Sequence, residues 1–77
     1  MDNRERIVAI LKSVSKKTSV PDADESLFDS GFLDSFALPD MVGELEREFK
    51  IQIPDSDLSP RKFESIARIE TYIESRQ

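Results

Sequence analysis

The stretch Gly31-Phe32-Leu33-Asp34-Ser35-Phe36-Ala37-Leu38-Pro39-Asp40-Met41-Val42-Gly43-Glu44-Leu45-Glu46-Arg47-Glu48-Phe49 runs from a turn-forming glycine into a segment with one apolar stripe. Leu38, Met41, Val42, Leu45 and Phe49 recur at three- and four-residue spacing, which predicts an amphipathic helix over Ser35 to Phe49. Asp40, Glu44 and Glu48 stack at four-residue spacing on another face, while Glu46 points elsewhere. Ser35 reads as the N-cap. Pro39 then falls on the fourth helical residue, where intrahelical hydrogen bonding begins, so a late or distorted start is expected. A hydroxyl at this position sits where unpaired N–H groups and the helix dipole favour a phosphate. Asp-Ser is also a common way simply to cap a helix, and the tripeptide Asp34-Ser35-Phe36 alone favours that plainer use.

Working outward, Ile7, Val8, Ile10, Leu11 and Val14 predict a first helix from Asp2 to about Lys17. Asp2 and Glu5 stand at capping-box spacing, and Lys12, Lys16 and Lys17 suit the C-terminal end of the dipole. Thr18 to Asp34 reads as a long connection containing Pro21 and Gly31, pinned to the core by Leu27, Phe28, Phe32 and Leu33. Its acidic start resembles a calcium loop only superficially. Leu27 stands where the sharp-turn glycine is needed and Leu33 where the bidentate glutamate belongs, so no metal site is expected. Ile51-Gln52-Ile53-Pro54 alternates like a short extended segment, and Asp55 to Lys62 holds at most one irregular turn. Ser65 caps a last helix with Ile66, Ile69, Tyr72 and Ile73 inward. Phe28, Phe49 and Phe63 are expected to pack inside. The expected fold is all-α, a single domain over residues 1–77, with three main helices, one short irregular helix and a long loop between the first two.

Composition narrows the chemistry. The 77 residues contain no His, Cys or Trp, so the usual general base, the nucleophilic thiol and the soft metal ligands are missing. An autonomous enzyme is not expected. No apolar run approaches the ~20 residues needed to span a bilayer, and no secretory leader is evident, which points to a cytoplasmic monomer without membrane insertion. The net charge of −5 is unevenly placed. Residues 1–20 hold five basic and two acidic groups, residues 21–60 two and eleven, and residues 61–77 four and three. An acidic middle of this kind aids solubility; it also offers a face to a basic protein partner and disfavours nucleic acid. Arg47 is expected to pair with Glu44 or Glu48 at the surface.

The run Gly31-Phe32-Leu33-Asp34-Ser35-Phe36, followed by Glu46-Arg47-Glu48-Phe49 and Ile53-Pro54-Asp55, resembles the acyl carrier protein family. Its order and spacing are intact from Gly31 onward. The resemblance implies a 4′-phosphopantetheine arm, donated by coenzyme A, on the Ser35 hydroxyl. It implies that Asp34 helps a phosphopantetheinyl transferase engage the site and that Phe36 gives it a hydrophobic contact. A terminal thiol then holds an acyl or aminoacyl group as a thioester, which suits a chain with no cysteine of its own. The implied partners are that transferase, an acyl- or aminoacyl-loading ligase and a downstream transferase or synthase, approaching over Asp40, Glu44, Glu46 and Glu48. The Pro54-to-Ser65 spacing with Asp57, Leu58 and Phe63 looks most like D-alanyl carriers and small carriers of amino-acid-derived biosynthesis, although Ala37, Pro39 and Gly43 depart from the usual pattern. The competing expectation is an unmodified helical adaptor for a basic protein, indifferent to the Ser35 hydroxyl.

Overall fold

The computed structural model describes residues 2–77. Helix α1 spans Asn3–Ser15, α2 spans Leu38–Phe49 and α3 spans Ile66–Arg76; 3₁₀ turns occupy Ser35–Ala37 and Asp55–Asp57. No strand occurs among the described residues. The all-helical class is as expected, and the short irregular helix reduces to the second 3₁₀ turn.

Helix α1 begins because Asp2 accepts the Glu5 N–H at 2.8 Å. It stops two residues earlier than its stripe suggested. Lys16 takes a left-handed conformation at φ 59°, which an α-helix cannot continue through. Lys50, at φ 56°, ends α2 in the same way. Helix α1 packs against both α2 and α3. Ile7, Ile10 and Leu11 meet Met41, Val42 and Leu45 of α2 and Ile66, Ile69 and Ile73 of α3 in one continuous core. Phe49 and Phe63 are inside as expected, whereas Phe28 is half-buried against the core surface.

The long connection is held by tethers far apart in sequence. Leu27, fully buried, donates its N–H to the Glu64 carbonyl at 2.6 Å, and Ala67 donates to the Ala23 carbonyl at 3.0 Å. The second bond satisfies an amide in the first turn of α3, while Ser65 Oγ accepts the Arg68 N–H at 3.2 Å. Arg6 fastens the far end of α2. Its guanidinium donates to Glu48 Oε2 at 2.7 Å and to the Glu48 carbonyl at 2.6 Å, and lies 4.2 Å from the centre of the Phe49 ring. The Pro54-to-Ser65 segment is pinned through Asp57, which accepts from Lys62 Nζ and from the Tyr72 hydroxyl, each at 2.6 Å. Tyr72 also packs its ring against Phe63 at 5.0 Å.

Candidate functional site

Ser35 and Phe36 project between two buried anchors, Leu33 before them and Leu38 after. The approach to the first anchor is set by Gly31, whose φ of +82° favours glycine. Lys17 then clasps this bend, donating from Nζ to the Gly31 and Phe32 carbonyls at 3.0 Å each, with Nζ 5.3 Å from the Phe32 ring centre. Leu33 donates to the Leu27 carbonyl at 2.9 Å. From Asp34 to Phe36 the chain is exposed.

The serine is not the cap. Asp34 has the extended backbone of an N-cap, and its Oδ1 accepts the Ala37 N–H at 3.0 Å. The cause lies at Pro39. An α-helical bond to the Ser35 carbonyl would have to come from the N–H of residue 39, which proline lacks. The Leu38 N–H supplies it instead, which makes residues 35–37 a 3₁₀ turn and delays α2 to Leu38. The expected helix start at Ser35 is corrected accordingly. This division of labour matters chemically. No hydrogen bond of the Ser35 hydroxyl is found among the described residues, so its oxygen is not spent on capping. Phe36, 88% exposed, stands beside it.

The four carboxylates of α2 are brought to one helix but not to one state. Glu46 turns back to accept the Ile53 N–H at 2.9 Å, Glu48 is engaged by Arg6, and Glu44 pairs with Arg47. Asp40 is exposed and without a partner among the described residues. Sequence spacing had separated Glu46 from the other three, and Arg47 pairs as expected. The Lys17 clasp was missed because its partners lie 14 and 15 residues away, and nothing local marks such a contact.

The family model described as "Phosphopantetheine attachment site" matches residues 5–73. The chain is 31% identical to a D-alanyl carrier protein of Leuconostoc mesenteroides, over 97% of this chain and 96% of that one. It is 28% identical to the D-alanyl carrier protein of Lactobacillus acidophilus, over 97% and 95%. It is 32% identical to that of Streptococcus suis, over 90% and 87%.

Proposed function

The chain belongs to the phosphopantetheine attachment site family of carrier proteins, and from that premise we propose that Ser35 carries the arm and that the cargo is a small aminoacyl group. The family's cofactor is 4′-phosphopantetheine, which when bound supplies a terminal thiol able to hold that group as a thioester. The observation that carries the assignment is the uncommitted Ser35 hydroxyl, exposed on a turn that Asp34 caps in its place.

In the modification step Ser35 Oγ attacks the phosphorus of coenzyme A that bears the pantetheine. The Ser35 O–P bond forms, the bond to the departing adenosine 3′,5′-bisphosphate breaks, and the hydroxyl proton passes to a base of the transferase. The dipole of the turn and helix that follow Ser35 favours the phosphate that results, although the Ala37 and Leu38 N–H groups are already bonded to Asp34 and to the Ser35 carbonyl. Asp34 holds the turn that presents Oγ, and Phe36 offers the transferase a contact beside it. The chain itself catalyses nothing.

The cargo reading rests on two supports. The relatives are D-alanyl carrier proteins, and the interior is already filled by Met41, Leu45, Phe63 and Ile69, all fully buried. A long acyl chain sheltered inside the bundle would have to displace such side chains, and overfilling a packed core typically costs about 1–3 kcal/mol. A loading ligase delivers the small group, with D-alanine the first candidate, and a second enzyme removes it. Intact-protein mass spectrometry of material from the native host tests this. An arm bearing an aminoacyl increment is expected; mainly long acyl chains on Ser35 would contradict the cargo reading.

A further inference from the structure

Gly31 is the softest joint on the way to Ser35. Its φ is +82°, and without a Cβ it can leave that conformation at little cost. The bonds made by the amides around it are uneven. Its own N–H reaches the Phe28 carbonyl at 3.1 Å, the Phe32 N–H meets Ser30 Oγ only at 3.4 Å, and the Leu33 N–H bonds the Leu27 carbonyl at 2.9 Å. The carbonyls of Gly31 and Phe32 receive no donor other than Lys17 Nζ among the described residues. Lys17 is itself fixed to the end of α1, where its N–H donates to Ser15 Oγ at 3.2 Å just after the left-handed Lys16. No carboxylate pairs with its ammonium among the described residues. Lys17 thus ties a helix end to the bend that leads into Ser35.

We infer that Lys17 is a positioning residue for the modification of Ser35, acting through the Gly31 and Phe32 carbonyls to aim the serine turn. The inference rests on Ser35 carrying the arm. Within the turn, the Ala37 N–H bonds Asp34 and the Leu38 N–H bonds the Ser35 carbonyl. Those bonds keep the shape of the turn but not its direction. Direction comes from the bend on one side and from Leu38, seated in the core, on the other. On the side of the bend, hydrogen bonds from a charged ammonium are stronger than neutral ones. Without them Gly31 is free to rotate, and the Ser35 oxygen leaves the line of attack. Displacing reacting groups by about 1 Å can cost about 100-fold in rate. Helix α2 is fastened separately, through Leu38 and through Arg6 on Glu48, so its acidic surface stays in place. The loss therefore falls on the chemical step rather than on the encounter.

The test compares the natural chain with three variants. Lys17→Met keeps an unbranched apolar stem but donates nothing, and Lys17→Arg keeps the charge and several N–H donors. Lys12→Met removes an equal charge from the exposed side of α1. Each is given coenzyme A and a broad-specificity phosphopantetheinyl transferase over a range of carrier concentrations, and amide hydrogen exchange is followed at Leu33 and Leu27. Lys17→Met should lose about tenfold in kcat with KM changed by less than about twofold. Its Leu33 N–H should exchange about tenfold faster, while Leu27, bonded to Glu64, keeps its protection. Lys17→Arg should return to within about threefold of the natural kcat, because its bonds to the carbonyls are also charge-assisted. Lys12→Met should match the natural chain. An unchanged kcat in Lys17→Met would overturn the inference and leave the arm on Ser35 intact. So would a loss confined to KM and shared by Lys12→Met, because charge and not the clasp would then be the cause. A Lys17→Met chain unfolded at the assay temperature would overturn it too, since the clasp would then hold the fold rather than the turn. No arm on the natural chain, with a known carrier reacting alongside, would overturn both readings.

Discussion

Asp34 Oδ1 accepts the Ala37 N–H while the Ser35 hydroxyl has no partner among the described residues, so removing the two groups should have opposite consequences. Ser35→Ala should abolish modification and change stability by no more than about 0.5 kcal/mol, as for a surface residue. Asp34→Ala should cost about 0.5–2 kcal/mol, the usual loss for an N-cap. Thermal melting of the pair checks this; a larger loss for Ser35→Ala would mean that the serine caps after all. The motif itself was legible, because Gly31, Asp34, Ser35 and Phe36 are contiguous with a helical stripe. The exchange of roles between neighbours was only half legible. Pro39 warned of a disturbed start, but which residue would take the cap depended on the Leu38 N–H replacing the bond that proline cannot make.

At the scale of elements, the three helices could be read because each carries a periodic apolar face that must be buried somewhere. The connections could not be read in the same way. The bonds from Leu27 to Glu64 and from Ala67 to Ala23 join residues that no local pattern relates. The same holds for Asp57 and Tyr72, which tie the Pro54-to-Ser65 segment to α3. Burial, and then the hydrogen bond to Asp57, push the Tyr72 phenol up to about 12. Asp57 is held below the usual carboxylate range by Lys62 first and Tyr72 second. For a raised pKa the folded protein keeps the proton longer than the unfolded chain, whose tyrosine titrates near about 10. This contribution to stability is therefore complete below about pH 10 and lost as pH rises through about 12. Melting temperatures from pH 9 to 12 should fall more steeply for the natural chain than for Tyr72→Phe. The lysines contribute equally to both proteins, and parallel curves would contradict the assignment. At the acid end the sign reverses: the depressed Asp57 contributes stability above its unfolded pKa and loses it as pH falls through the lowered folded value.

Across the whole molecule, the acidic middle of the chain was visible in composition, but its division into engaged and uncommitted groups was not. Glu44, Glu46 and Glu48 are each bound by a neighbour, which leaves Asp40 as the carboxylate of α2 most able to meet a partner's cation. Asp40→Lys should therefore slow modification more than the double change Asp22→Lys and Asp24→Lys in the loop. Raising salt should narrow the gap, since the Debye length falls from about 10 Å at 0.1 M to about 3 Å at 1 M. Equal initial rates for the two variants at low salt would mean that the charge serves only solubility. The central claim, that this fold exists to display an arm from Ser35, is tested most directly by incubating the chain and its Ser35→Ala variant with coenzyme A and a broad-specificity phosphopantetheinyl transferase. Intact-mass measurement should show exactly one arm gained by the natural chain and none by the variant. No gain by the natural chain while a known carrier reacts alongside, or an equal gain by Ser35→Ala, would contradict it.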